Sequence, residues 1–79
     1  MISALVLVNT DIDSQNKVIE RLKLVEGVEE AHSLYGVYDL LLKIKAISID
    51  KLKEIIRYRI KQASGVTNAL TLMIVDNDR

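Results

Sequence analysis

Cysteine is missing from this 79-residue chain, and so are proline, tryptophan and phenylalanine. Without cysteine there is no disulfide and no thiolate metal site. A single histidine, His32, leaves too few imidazoles for a zinc site, so neither metal nor cofactor is expected. Aromatic side chains amount to three tyrosines, Tyr35, Tyr38 and Tyr58. That is too few for a sheet that stacks nucleic-acid bases. The formal net charge is zero, so the whole chain has no attraction for a polyanion. No apolar run is long enough to cross a bilayer as a helix. The opening MISALVLVNT lacks the basic start and small-residue cleavage site of a secretory signal. A cytoplasmic protein without membrane or direct nucleic-acid contact is the expectation.

What is present is apolar: 49% of the residues. A chain of this size buries a modest share of its surface, and small scaffolds usually need a disulfide, a metal or a partner. With the first two removed, self-association is the expected staple. No low-complexity stretch or linker divides the chain, so residues 1–79 read as one domain.

The apolar pattern alternates between period two and helical stripes. Residues 2–9 (ISALVLVN) read as a strand. In residues 14–26, Val18, Leu22 and Val25 recur at i, i+4 and i+7, which predicts a helix capped by Asp13 or Ser14 and stopped by Gly27. Residues 28–35 and 38–46 read as strands around a turn at Gly36. Residues 50–63 read as a second helix, capped by Asp50 or Ser48, with Leu52, Ile55, Ile56, Ile60 and Ala63 as its stripe. Gly65 ends it, and residues 66–75 form the last strand. The order β-α-β-β-α-β, with right-handed crossovers, predicts an α+β, ferredoxin-like fold: a four-stranded antiparallel sheet with two helices on one face.

Both parities of the strands carry apolar residues. Ala4, Val6 and Val8 oppose Leu5 and Leu7; Leu40, Leu42 and Ile44 oppose Leu41. In the last strand, Val66, Leu70, Leu72 and Ile74 look like core, with Ala69, Met73 and Val75 facing away. Two helices cover one face only. Leu5, Leu7, Leu41, Met73 and Val75 are therefore the expected seam of a dimer that packs sheet face against sheet face.

No catalytic constellation, Gly-rich phosphate loop or ligand cluster is present, and His32 reads as a surface residue, so no enzyme is expected. The local cluster with chemistry is Tyr35-Gly36-Val37-Tyr38-Asp39. Gly36 admits positive φ or close approach. Free backbone N–H groups there suit a ligand carboxylate, and Asp39 suits an ammonium. A plain hairpin turn with a locally hydrogen-bonded Asp is the competing reading. Charge is uneven along the chain. Between residues 43 and 61, seven basic residues meet two acidic ones, whereas the first 42 residues hold seven acids against three bases.

Gly36-Val37-Tyr38-Asp39-Leu40-Leu41-Leu42-Lys43, with Gly65-Val66 and Thr71 after the second helix, resembles the effector-binding (RAM) module of the Lrp/AsnC transcription regulators. The resemblance spans essentially the whole chain. It implies dimers joined through their sheets, further assembled into octamer-like rings, with an amino-acid-like effector between dimers. It assigns Gly36, Val37, Tyr38, Asp39 and Thr71 to that site. Two positions depart from the family pattern: Tyr35 and Ala69 stand where threonines are common, which removes hydroxyls from the pocket. The helix-turn-helix domain of full-length members is not expected here. The implied role is a stand-alone module that senses an amino acid or related metabolite and modulates a helix-turn-helix relative by mixed assembly. Alternatives are a structural assembly protein, an amino-acid-binding regulatory subunit of an enzyme like the ACT modules, and a small dimeric α+β barrel enzyme, for which no acid–base pair is present.

Overall fold

The computed structural model describes residues 1–74. Its elements are β1 (Ile2–Thr10), α1 (Gln15–Leu22), β2 (Val28–Ser33), β3 (Leu40–Ala46), α2 (Ile49–Glu54) running directly into a π-helical segment (Ile55–Ile60), and β4 (Val66–Met73). The strands lie in the order β2-β3-β1-β4, and every neighbouring pair is antiparallel. This is the expected ferredoxin-like sheet.

One face carries the core. Ala4, Val6 and Val8 of β1 and Leu40, Leu42 and Ile44 of β3 are fully buried. Val18 and Leu22 of α1, Leu52 of α2 and Ile55, Ile56 and Ile60 of the π segment close over them. The pairings Val6↔Leu42 and Ala4↔Ile44 put these strand residues side by side on the helix-covered face.

On the other face, Leu5 and Leu7 of β1 sit beside Leu41 and Lys43 of β3 and beside Leu70 and Leu72 of β4. The last strand has the opposite parity to the one its sequence suggests. Met73 pairs with Ala4 and Thr71 with Val6, so both share the helix side of the sheet. Leu70 and Leu72 pair with Leu7 and Leu5 and are 43% and 46% exposed. The cause is a register shift between Asn9 and Thr10: Asn9 faces Asn68, but Thr10 faces Val66, so Thr67 is the extra residue. A bulge of this kind lets Val66 and Ala69, three apart, both pack on the core. Met73 therefore does not belong to the open face, and Leu70 and Leu72 replace it there. Val75 lies outside the described residues.

The helices also end differently from their stripes. α1 stops at Leu22, and Leu24 and Val25 continue in tight turns, with N–H bonds to Arg21 and Leu22. Ser14 caps α1 without a side-chain hydrogen bond. The α2 cap is Ser48, whose hydroxyl accepts from the Lys51 N–H at 3.1 Å. No described helix is long and apolar enough to cross a membrane.

Candidate functional site

The Leu34–Asp39 turn sits at one end of the sheet, where β1 finishes and α1 begins. Gly36 has φ +145°, and a Cβ there would meet nothing within 4 Å. Its glycine is required by backbone conformation and not by crowding within the chain. Tyr35 and Val37 are exposed on either side of it; Tyr38 and Asp39 are half-buried.

The turn is tied down by groups from two other segments, β1 and α1. The Asp39 N–H donates to the Val8 carbonyl at 2.9 Å, continuing the β1–β3 ladder. Asp39 Oδ2 accepts from the Thr10 N–H at 2.8 Å and from the Thr10 hydroxyl at 3.4 Å. The Asp39 carbonyl accepts from the Leu34 N–H at 2.8 Å and from Gln15 Nε2 at 2.7 Å. Asn9 Nδ2 donates to the Val37 carbonyl at 2.8 Å, and Asn9 Oδ1 accepts from Asn68 Nδ2 at 3.4 Å. These bonds hold carboxylate and turn in fixed positions. They leave Asp39 Oδ1 without a donor among the described residues, and the N–H groups of Gly36 and Val37 without a backbone acceptor there.

The Asp39 carboxylate makes the structural hydrogen bond of the plain-turn reading, to Thr10 and not within its own turn. Asn9, Thr10, Gln15 and Asn68 are the supports that sequence inspection missed. The available signal was a polar Asn-Thr ending on the otherwise apolar first strand.

The remaining candidates lie apart from the turn. Ala69 pairs with Val8 and packs on the core. Thr71 pairs with Val6, on β4, with all of β1 between it and β3. That places it two strand spacings, roughly 10 Å sideways, from the line of Asp39. One chain does not bring Asp39 and Thr71 onto one small ligand. Thr71 and Met73 instead line a hollow of about 550 Å³ against the π segment. Among the described residues, no group of three or more His, Asp or Glu is placed to hold a metal ion.

The sequence profile of the Lrp/AsnC ligand binding domain matches residues 3–77. The chain belongs to the Lrp/AsnC ligand-binding domain family. An uncharacterised HTH-type transcriptional regulator of Pyrococcus abyssi is 31% identical over 77 residues, covering 94% of this chain and 51% of the regulator. The chain therefore spans about half the length of the curated regulators it matches. A segment of homocitrate synthase from Sulfolobus acidocaldarius is 36% identical over 75 residues, covering 94% of this chain and 16% of the enzyme. The crystal structure of a hypothetical protein from Pyrococcus horikoshii has the same fold, with TM-score 0.90 at 26% identity, covering 98% of this chain and 93% of that one. The fold and the family of this Lrp/AsnC domain agree with what the Gly36–Asp39 string and the element order implied.

Proposed function

We propose that this Lrp/AsnC domain senses a small zwitterion, an amino acid or a close relative, at an interface between copies. It thereby biases assembly and modulates a transcription regulator of its own family. The supporting observation is the Gly36–Asp39 turn, held by Asn9, Thr10 and Gln15 with one carboxylate oxygen and two backbone N–H groups left over. Oδ1 of Asp39 would take the ligand ammonium, and the Gly36 and Val37 N–H groups its carboxylate. Tyr35 and Tyr38 would flank it. Thr71 and Ala69 would meet it only from a neighbouring copy, because within one chain they lie on another strand. The copies would first pair through the open face of Leu5, Leu7, Leu41, Leu70 and Leu72, then assemble further, as an octamer-like ring of dimers.

The mechanism is linkage. A ligand stabilises the assembly that completes its site by as much as its affinity for that assembly exceeds its affinity for separate parts. At a concentration one hundred times Kd, the gain is about 2.7 kcal/mol, roughly 10 °C or more in the melting temperature of a domain this size.

A second reading rests on the homocitrate synthase segment: the same domain, fused to or bound by a biosynthetic enzyme, would sense that pathway's amino acid. A thermal-shift screen of the common amino acids, with mass read by light scattering on the same samples, tests the shared core of both readings. At least one amino acid should raise the melting temperature and change the mass distribution, and Asp39→Ala should remove both effects. No response to any amino acid would overturn sensing and leave a purely structural assembly role. A monomer at micromolar concentration would overturn assembly itself.

A further inference from the structure

The register of the sheet sorts its open face into two rows. His32, Leu41, Leu7 and Leu70 stand side by side across the four strands, and so do Glu30, Lys43, Leu5 and Leu72. Both rows begin polar at β2 and end in leucine at β4. The polar corner is half open to water at His32 and Glu30.

The contacts within that corner are local. His32 Nε2 lies 3.0 Å from Glu30 Oε1. Next along, where β2 shifts register, Glu29 pairs with Lys45 at 3.3 Å. Lys43 stands opposite Glu30 across the strands but forms no ion pair with a described carboxylate. With His32 neutral, Glu29 and Glu30 cancel Lys43 and Lys45. A proton on His32 leaves the corner with one positive charge in excess.

Two copies that pack these faces with their strands aligned are related by a twofold axis lying between the sheets. An axis along the strands sets β2 of one copy against β4 of the other. Lys43 then enters the leucine side with no carboxylate to meet it, a costly burial for an ammonium. An axis across the strands sets β2 against β2. Leucines then cover leucines, and each Glu30 stands among the His32 and Lys43 of both copies.

We propose that the dimer closes in the second way: the Glu30–His32–Lys43 corner is matched to itself across the seam, fixes the orientation of the copies and loosens the dimer when His32 takes a proton. This rests on the proposed pairing through the open face. The loosening follows from like charge: each corner gains one positive charge, and the two corners face each other. The groups around His32 are Glu30 on its own strand and Leu41 and Lys43 on β3, with the Glu29–Lys45 pair beyond them. Both helices lie on the other side of the sheet. His32 is the only histidine, so it is the side chain whose ordinary pKa falls between about pH 5.5 and about pH 7.5.

Mixing two charge variants tests the match. Lys43→Glu and Glu30→Lys should each weaken the dimer about tenfold or more in sedimentation velocity. An equimolar mixture should form the heterodimer, seen by native mass spectrometry, because opposite charges then face each other across the seam. Acidification from about pH 7.5 to about pH 5.5 should weaken the wild-type dimer about tenfold, and His32→Gln should abolish that dependence. None of the three side chains is buried, so these substitutions leave the core intact. The proposal is overturned if either charge variant alone dimerises like the wild type, if the mixture gives no heterodimer, or if His32→Gln keeps the pH dependence. A wild-type chain that is monomeric at about pH 7.5 overturns the open-face pairing itself, whereas a dimer indifferent to pH overturns only this inference.

Discussion

At the residue scale, one carboxylate shows how neighbours on a sheet adjust a charge. Glu30 lies on the open face beside His32, whose Nε2 is 3.0 Å from Glu30 Oε1, and it pairs across the sheet with Lys43. The hydrogen bond with His32, helped by the Lys43 charge, holds the Glu30 carboxyl below its ordinary pKa against the opposing effect of desolvation. A carboxyl with a lower pKa folded than unfolded binds fewer protons in the folded state. Its contribution to stability is present above the ordinary carboxylate range and disappears as pH falls through the lowered folded value. In a proton–carbon NMR titration, His32→Ala should move the Glu30 midpoint up towards the ordinary value. An unmoved midpoint would assign the shift to Lys43 alone. The His32–Glu30 contact was not legible in the sequence as chemistry, since two residues of one parity on a strand read simply as a solvated edge. The Gly36-x-Tyr38-Asp39 string was legible as a turn with a carboxylate. That the carboxylate is fixed by Thr10, 29 residues earlier, was not.

At the scale of elements, the glycines mark the junctions that periodicity predicted, and packing decides how tightly each is needed. Gly65 joins the second helical region to β4 with φ +91°, and its carbonyl accepts from the Asp11 N–H at 2.9 Å. A Cβ there would stand 2.7 Å from Val18 Cγ2 of α1. Gly65→Ala therefore combines an unfavourable backbone conformation with an overlap against a fully buried side chain. Urea denaturation should show a loss of about 1–3 kcal/mol. A smaller loss than that in Gly36→Ala, where a Cβ meets open space, would contradict the packing argument. The helix ends were less legible than the helices. Val25 continues the apolar stripe of α1 and is buried, yet it sits in a turn after the helix has finished. An i+7 spacing records which face a residue takes, and a tight turn can satisfy it as well as a further helical turn. The π segment carries no sequence mark, because Ile55, Ile56 and Ile60 fit an ordinary helical stripe equally well.

At the scale of the molecule, the open face of the sheet is the surface through which copies would meet in the proposed assembly. Leu5, Leu7, Leu41, Leu70 and Leu72 lie on it, each worth roughly 1.5–3 kcal/mol on full burial. Glu30, His32 and Lys43 border the leucines on the β2–β3 side. Introducing a charge at Leu72 should therefore break the proposed dimer, whereas the same charge at Met73, one residue along the chain and on the opposite side, should not. Light scattering on Leu72→Lys and Met73→Lys checks this. Loss of the dimer in the second variant alone would restore the strand parity that the sequence suggested and remove the open-face seam.

Element order, fold class, the core of β1 and β3 and the special turn were determined by the sequence alone. Each depends on contacts local in the chain, on a strict period of two, or on glycines whose backbone conformation few other residues adopt. The face that β4 presents was decided only in the tertiary structure. One unpaired residue at Thr67 reverses the parity of everything after it, and a bulge is defined by the pairing of two strands, two residues of one against one of the other. The same holds for the position of Thr71. Its hydroxyl belongs to the hollow beside the π segment because of that reversal, and a pattern read along one strand does not contain it.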